Sequence, residues 1–167
     1  MQLTHYNSTF KTQKFPITLV CDNVINAPNI GSILRIADAF GINEVIFCGE
    51  NIQLGKRMKK TSRATEKYVN HRVENNVMHV VKQLKTQNYY LIAIEITEDS
   101  RVLNDFRLGT KQPIALIVGN ENFGISPTLL KQVDTTIHIN MYGQNSSMNV
   151  AQATAITLYE LTKQLSI

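Results

Sequence analysis

The sequence lacks long hydrophobic runs and contains little cysteine. None of its apolar runs approaches the roughly 18–20 residues that a membrane span requires. The polar N-terminal stretch has no apolar segment of the kind found in signal peptides, so we expect a cytoplasmic protein without a membrane partner. The two cysteines, Cys21 and Cys48, lie in apolar, strand-like runs. This placement predicts buried thiols and argues against a disulfide or a metal site.

Several catalytic signatures are also absent. No G-x-G-x-x-G sequence follows the first strand candidate, and the residues after Gly124 are not the Lys and Ser/Thr of a phosphate-binding P-loop. The sequence contains no H-E-x-x-H, C-x-x-C or G-x-S-x-G, and the spacing of its four histidines does not suit a metal. These absences argue against hydride transfer, NTP hydrolysis, zinc chemistry and serine hydrolysis. We therefore expect no metal cofactor.

Strand-length apolar runs alternate with helix-patterned segments along the chain. The strand candidates, several of them nearly continuous in Ile, Leu and Val, are 17–21, 45–48, 89–96, 114–118 and 136–139. The helix candidates are a segment between an Asn29 N-cap and Gly41, residues 77–85, a short helix opened by Ser126, and a last helix over about 147–163. This alternation predicts an α/β fold with an open, mostly parallel sheet flanked by helices. We expect one domain over residues 16–167, preceded by a tail or lead-in segment, 1–15.

Positive charge is concentrated in one segment. The net charge is +4, and residues 56–72 hold seven of the 17 Lys and Arg with a single acid, Glu66. The segment could be an ordinary solvated loop and helix face. It could instead contact phosphate groups, with the hydroxyls of Thr61, Ser62 and Thr65 between the cations. Charge alone leaves both interpretations open.

Three polar segments lie where strands end or helices begin, which is where open α/β sheets bind ligands. In the first, residues 29–35, Arg35 lies off the apolar helical stripe and could either bind a phosphate or pair with Asp38 or Glu44. In the second, residues 114–126, Gly119 would let a ligand approach the backbone. Glu121 could bind a hydroxyl or a positive centre there, or could simply face water.

The third segment, residues 137–150, runs from a strand through a polar loop into the last helix. Free N–H groups at the start of a helix favour an anionic ligand. Ser147 could be a plain N-cap for this helix. Asn149 is harder to explain as a structural residue, because a turn that merely starts a helix does not need it.

Together these segments resemble the signature of the SpoU/TrmH family in the SPOUT class of RNA methyltransferases. The family's motifs are N-x-G/S-x-x-x-R, G-N-E-x-x-G after an apolar strand, and I-P-M-x-G-x-x-x-S-L-N-V. The matching residues are Asn29, Arg35, Gly119, Asn120, Glu121, Gly124, Ile139, Met141, Gly143, Ser147, Asn149 and Val150. Residues 60–69 also resemble the family stretch K-T-S/A-x-G-A-x-K-Y/W-V, and the similarity covers roughly residues 16–161. Asn140 replaces the usual Pro, Met148 the usual Leu, and Thr65 a small residue.

The resemblance implies an enzyme that methylates the ribose 2′-OH of RNA with S-adenosyl-L-methionine (SAM). It also implies a C-terminal trefoil knot and a homodimer whose RNA site includes both subunits. The implied catalytic residues are Arg35, Asn29, Glu121, Ser147 and Asn149. The implied cofactor-binding residues are Ile94, Gly119, Asn120, Ile139, Met141, Ser147 and Met148. From the basic segment we predict that RNA is bound by Lys59, Lys60, Arg63 and Lys67.

The identity of the RNA is less defined than the reaction. tRNA is favoured, because residues 16–161 most resemble the tRNA D-loop guanosine methyltransferases. Methylation of an anticodon-loop ribose or of ribosomal RNA remains an alternative, as does a non-catalytic RNA-binding relative with the same fold. A flavodoxin-like or receiver-like domain is a further alternative, but receivers need an acidic cluster after the first strand, where this chain has only Asp22.

Overall fold

The computed structural model describes residues 10–166, and within them the chain forms a seven-stranded, wholly parallel sheet. The strands are β1 (Phe15–Asp22), β2 (Ile42–Cys48), β3 (His71–Glu74), β4 (Tyr90–Ile94), β5 (Arg101–Val102), β6 (Ile114–Val118) and β7 (Thr135–His138). Their order in the sheet is β3-β2-β1-β6-β4-β7-β5, and every pairing is parallel. The prediction of an open parallel α/β sheet is confirmed. Residues 1–9 of the expected lead-in segment lie outside the described residues.

Helices cover both faces of the sheet. They are α1 (Ala27–Ala39), α2 (Lys56–Ser62), α3 (Val77–Thr86), α4 (Pro127–Leu130) and α5 (Val150–Leu165), with a 3-10 turn at Thr65–Lys67. Apolar residues of α1, α2 and α5 share one core with alternate residues of β1, and those of α3 and α4 share a second core on the opposite face. Burial on both faces explains why the central strands read as continuous apolar runs. Within the described range, no helix is long and apolar enough to cross a membrane.

Sequence patterns missed the two edge strands, β3 and β5. β3 has the sequence His-Arg-Val-Glu, and its Arg72 forms salt bridges with Glu44 on β2 and with Glu74. Polar, short strands are typical of sheet edges, where they discourage pairing with other chains, and they carry no hydrophobic pattern to detect. β4 and β7 are also shorter than their predicted ranges, and α2 is a helix within the basic segment.

Two predicted helix caps are wrong, and both corrections matter for the functional residues. Asn26, not Asn29, caps α1, since its Oδ1 accepts the Asn29 N–H at 3.3 Å. Asn149, not Ser147, caps α5, since its Oδ1 accepts the N–H groups of Ala151 at 2.9 Å and Gln152 at 3.3 Å. The predicted stop at Gly41 (φ 59°) and the Ser126 cap of α4 are as expected. The Asn29 side chain is therefore free for long-range contacts.

Gly31 allows α2 to lie directly against α1. A Cβ atom at Gly31 would lie 2.5 Å from the Met58 carbonyl oxygen and 2.8 Å from the Cβ of Thr61. Real Cβ atoms do not approach other atoms this closely, so a side chain here would force the helices apart. The glycine within the first motif thus places the basic helix α2 beside the helix that carries Asn29 and Arg35.

The segment after α2 turns sharply. Arg63 and Ala64 both adopt left-handed backbone conformations, with φ values of 50° and 68°. Ala64 occupies the position of glycine in the family stretch, so an alanine here carries a strain of about 1–2 kcal/mol. Thr65 supports the turn by donating its hydroxyl hydrogen to the Ser62 carbonyl at 2.7 Å.

The two cysteines are buried free thiols on opposite faces of the sheet. Burial raises the pKa of Cys21 well above its usual range and raises the pKa of Cys48 to about 12. Both side chains are therefore protonated and unreactive at neutral pH.

Candidate active site

The three polar segments meet at Asn29. Its Nδ2 donates a hydrogen bond to Oε1 of Glu121, which lies in the loop after β6 and is 92 residues away in sequence. Its Oδ1 accepts a hydrogen bond of 3.0 Å from Nδ2 of Asn149, which is 120 residues away. One amide therefore joins the three segments, and Asn149 is both the cap of α5 and a member of this network.

The sheet order explains this meeting point. β1 and β6 are adjacent parallel strands, so their carboxyl ends lie side by side and the loops that follow them come together. Asn120 fastens these loops, because its Nδ2 donates to the Asn23 carbonyl at 2.9 Å. Its Oδ1 accepts the N–H groups of Asn122 and Phe123. The Asn120 amide is thus used within the protein.

A cavity of about 500 Å³ opens beside this network, at the carboxyl ends of β4, β6 and β7. Glu121 lines it, so the hydrogen-bonded network forms part of its wall. All seven residues that we expect to bind the cofactor also line it: Ile94, Gly119, Asn120, Ile139, Met141, Ser147 and Met148. The structure thus gathers one complete set of expected residues around one space.

The two glycines of the second motif shape the loop that borders the cavity. A Cβ at Gly119 would lie 2.5 Å from the carbonyl carbon of Gly124, and Gly124 itself adopts a φ of 62°. The Gly124 N–H also donates to the Asn120 carbonyl at 2.8 Å. Gly119 is therefore needed for the close contact between loop backbones, and the prediction that it makes room for a ligand is wrong.

Glu95, which the sequence analysis missed, connects two walls of the cavity. Its Oε1 accepts the Ile96 N–H at 3.0 Å, and its Oε2 accepts the Ile125 N–H at 2.9 Å. The carboxylate thus joins the loop after β4 to the loop after β6, and it lines the cavity itself. An acidic residue directly after a buried strand was the available signal, the same one that identified Glu121.

Replacing Glu95 by Gln should weaken SAM binding about tenfold or more. Glutamine has one acceptor oxygen, so one of the two backbone N–H groups loses its partner at a cost of about 1–3 kcal/mol. Calorimetric titration with SAM measures the affinity, and RNA affinity should not change. The matched control is Glu98→Gln, since Glu98 is exposed and does not line the cavity. Equal SAM affinity in Glu95→Gln and wild type would show that the carboxylate does not position the cofactor loops.

Arg35 and Ser147 are placed differently from the rest of the expected catalytic set. Arg35 is exposed on α1 and lies outside the cavity lining. Within residues 10–166 it makes no salt bridge with Asp38 or Glu44, and Glu44 pairs with Arg72. Ser147 is exposed at the cavity wall. The Arg35 guanidinium is therefore available to a ligand or to another chain.

The four residues expected to bind RNA, Lys59, Lys60, Arg63 and Lys67, are all exposed on α2 and the turn that follows it. The neighbouring hydroxyls do not extend this surface as predicted. Ser62 is buried and donates to the Glu66 carboxylate, a hydrogen bond that lowers the pKa of Glu66. The Thr65 hydroxyl is likewise used within the turn. Cations alone form this part of the surface.

Residues 16–159 match the model of the SpoU rRNA Methylase family. The chain belongs to the SpoU rRNA Methylase family. It is 30% identical over 154 residues to a tRNA (guanosine(18)-2′-O)-methyltransferase of Aquifex aeolicus, covering 92% of this chain and 72% of that protein. It is 29% identical over 153 residues to the 23S rRNA (guanosine-2′-O-)-methyltransferase RlmB of Ralstonia nicotianae, covering 91% of this chain and 60% of that protein. The SpoU match confirms the predicted family and the prediction of a methyltransferase.

Solved structures agree with this assignment. The A. aeolicus TrmH/SpoU tRNA modifying enzyme superposes with a TM-score of 0.81 at 28% identity, over 93% of this SpoU chain and 78% of that one. The SpoU methyltransferase AviRb of Streptomyces viridochromogenes, in complex with the cofactor AdoMet, gives 0.80 at 26% identity, over 93% and 62%. This chain thus spans less than two thirds of both AviRb and RlmB.

Proposed function

We propose that this protein transfers a methyl group from SAM to a ribose 2′-OH of RNA, and that the RNA is tRNA. The contact of Asn29 with both Glu121 and Asn149 carries the proposal, because it brings all three motif segments to the wall of one cavity. The similarity to the tRNA methyltransferases of A. aeolicus and of Thermus thermophilus (31% identity over 149 residues) favours tRNA.

The cavity suits SAM in size and chemistry. Its volume of about 500 Å³ falls in the usual range of small-molecule sites, roughly 300–1,000 Å³. Ile94, Ile139 and Met141 supply apolar surface for an adenosine group, and the carboxylates of Glu95 and Glu121 supply negative charge. Negative charge suits the sulfonium and ammonium groups of SAM. When bound, SAM supplies a methyl group on a positively charged sulfur, which makes that carbon electrophilic.

Arg35 acts as a charged group in this proposal. Removing its proton at pH 7 would cost about 8 kcal/mol, which excludes it as an ordinary base. A guanidinium can bind the phosphate next to the target ribose bidentately and stabilise negative charge as it develops on the 2′-oxygen. The phosphate then takes the hydroxyl proton. Asn29, Glu121, Ser147 and Asn149 hold the ribose and the cofactor in position.

Arg35 performs this role in a neighbouring subunit. Six residues at about 100° each place it roughly 240° around α1 from Asn29, on another side of the helix from the network. In a homodimer, this side can face the cavity of the partner. Exposed apolar residues on α5, Ile156 (42% exposed) and Tyr159 (62%), provide further surface for a second copy. We include the C-terminal trefoil knot in the proposal, with its loops drawn from the two segments that border the cavity.

Methyl transfer from labelled SAM to separated tRNA and rRNA tests the proposed function. Digestion to nucleosides and mass spectrometry should reveal a 2′-O-methylated nucleoside in the tRNA pool. Labelling confined to rRNA would replace the substrate and keep the reaction. A label on a base, or no transfer to either pool, would overturn the proposal.

The basic helix should bind RNA phosphates. In a variant with Lys59, Lys60 and Arg63 all changed to Ala, RNA affinity should fall about tenfold or more at low salt. The slope of log affinity against log salt should decrease by about 2–3, because each lost phosphate contact releases fewer counterions. Fluorescence anisotropy with labelled tRNA measures both quantities.

Its matched control replaces three exposed lysines elsewhere, Lys82, Lys111 and Lys131, by Ala. The control has the same change in net charge, so it removes the same long-range attraction without touching α2. Should both triple variants lose affinity equally, α2 is not the phosphate-binding surface.

A further inference from the structure

A second depression lies next to the cofactor cavity and shares Asn120, Glu121 and Asn122 with it. We call it the amide groove. It has a volume of about 980 Å³ and is formed by residues 25–29 before and at the start of α1, by residues between 51 and 58, and by the shared loop. Glu121 lines both spaces, so a ligand in the groove would meet the cofactor at the Asn29–Glu121 hydrogen bond.

The amide groups of the groove fall into two sets. Asn26, Asn29 and Asn120 already hydrogen-bond within the protein. Asn51, Gln53 and Asn122 are exposed, and their side chains make no hydrogen bond among residues 10–166. A primary amide both donates and accepts, which is the pattern that the edges of nucleobases require. The groove thus offers three uncommitted groups suited to a base.

The same groove contains two cations. Lys56 and Arg57 line it, are exposed, and form no salt bridge with any carboxylate of the described chain. Free cations beside free amides suit a ligand that combines phosphates with a base. Ile25, 52% exposed at the same groove, adds apolar surface on which a planar ring can rest.

We infer that the amide groove binds the nucleotide that is methylated, turned out from its neighbours in a single-stranded part of the RNA. Asn51 and Gln53 hydrogen-bond the edge of its base, while Lys56 and Arg57 bind the adjoining phosphates. The ribose then lies at Glu121, with its 2′-OH toward the cofactor cavity. Recognition of an unstacked base by polar side chains is the usual way that proteins read RNA sequence. This inference rests on the proposed function and assigns base selectivity to residues outside the three motifs.

Crosslinking locates the RNA without relying on catalysis. A tRNA transcript containing 4-thiouridine is irradiated with the full-length protein, and the crosslinked peptides are identified by mass spectrometry. Peptides that contain residues 51–58 are expected, and their yield should fall when unlabelled tRNA competes. Crosslinks confined to surfaces outside the groove and α2, such as α3 or α4, would overturn the inference.

The double variant Asn51→Ala/Gln53→Ala tests base recognition directly. Methyl transfer to the nucleotide that wild type prefers should fall about tenfold or more, and transfer to other nucleotides should fall less, so that selectivity narrows. SAM affinity and the salt slope should not change, since neither charge nor cofactor cavity is altered. The matched control is Asn75→Ala/Gln87→Ala, which removes two exposed amides that lie outside both depressions.

The outcomes separate the two proposals. If wild type methylates RNA and the groove variant keeps both its rate and its nucleotide preference, the groove inference is wrong and the proposed function stands. If wild type methylates no RNA, the proposed function fails, and the inference fails with it. A lower rate with unchanged nucleotide preference would exclude base reading by Asn51 and Gln53.

Discussion

The Arg35→Ala variant should bind SAM as wild type does and methylate RNA at least 10²–10³-fold more slowly. Arg35 lies outside the cofactor cavity, so its loss leaves the SAM site intact. Its proposed work is confined to the reacting ribose, where removing one group that stabilises developing negative charge typically costs this much. Single-turnover methyl transfer with saturating RNA measures the chemical step, and calorimetry measures SAM affinity.

Two further variants sharpen the Arg35 test. Arg35→Lys keeps the charge and loses the two-pronged geometry, so its rate should lie between those of Arg35→Ala and wild type. Arg101→Ala removes another exposed arginine, on β5 at the far edge of the sheet, and should retain full activity. Near-normal methylation by Arg35→Ala would remove Arg35 from the mechanism altogether.

Asn149→Asp should retain thermal stability and lose methyl transfer by about 10²-fold or more. An aspartate can still accept the Ala151 and Gln152 N–H groups, and its charge suits the start of α5. It cannot donate to Oδ1 of Asn29, and it places two acceptors against each other near Glu121. The network that joins the three segments is thereby broken while the helix cap remains.

Asn149→Ala separates the two roles of this residue from the other direction. It loses the cap as well, at a cost of about 1 kcal/mol, which lowers Tm by roughly 2–4 °C. Asn76→Asp is the matched control, since Asn76 caps α3 through the His79 N–H and lies outside both depressions. Calorimetric Tm values and methylation rates distinguish these results. An active Asn149→Asp enzyme would mean that the asparagine serves only as a cap.

Mixing the two inactive variants tests whether Arg35 acts across subunits. In a mixed dimer, the Arg35→Ala subunit keeps Asn149 and receives Arg35 from its partner, which restores one site of two. Random exchange of equal amounts should therefore recover about one quarter of wild-type activity. If Arg35 acts within its own subunit, the mixture stays inactive.

The sequence identified most of the sheet because the central strands are buried on both faces and read as continuous apolar runs. It failed at β3 and β5, whose short, polar sequences reflect their positions at the sheet edges. The helix caps were misassigned because several residues near each start could serve. Asn26 and Asn29 are both acceptable cap residues, and only the observed hydrogen bond between them decides.

The candidate site was predictable where it depends on motif residues and on the carboxyl ends of strands. The hydrogen bond from Asn29 to Glu121 was not, because it joins groups 92 residues apart whose distance depends on strand order. Glu95 escaped notice for a related reason. Its partners are backbone N–H groups, and one belongs to Ile125, 30 residues away, so no side-chain pattern records the contact.

The close contact at Gly31 links substrate docking to catalytic geometry. With no side chain between them, α1 and α2 cannot slide past each other without steric overlap, so they move as one unit. Tension that a bound nucleic acid exerts on the cations of α2 is then passed to Asn29, two residues before Gly31. The orientation of Glu121, which Asn29 holds, becomes sensitive to how the RNA is seated. A poorly seated RNA would be rejected through misalignment of the network as well as through weak binding.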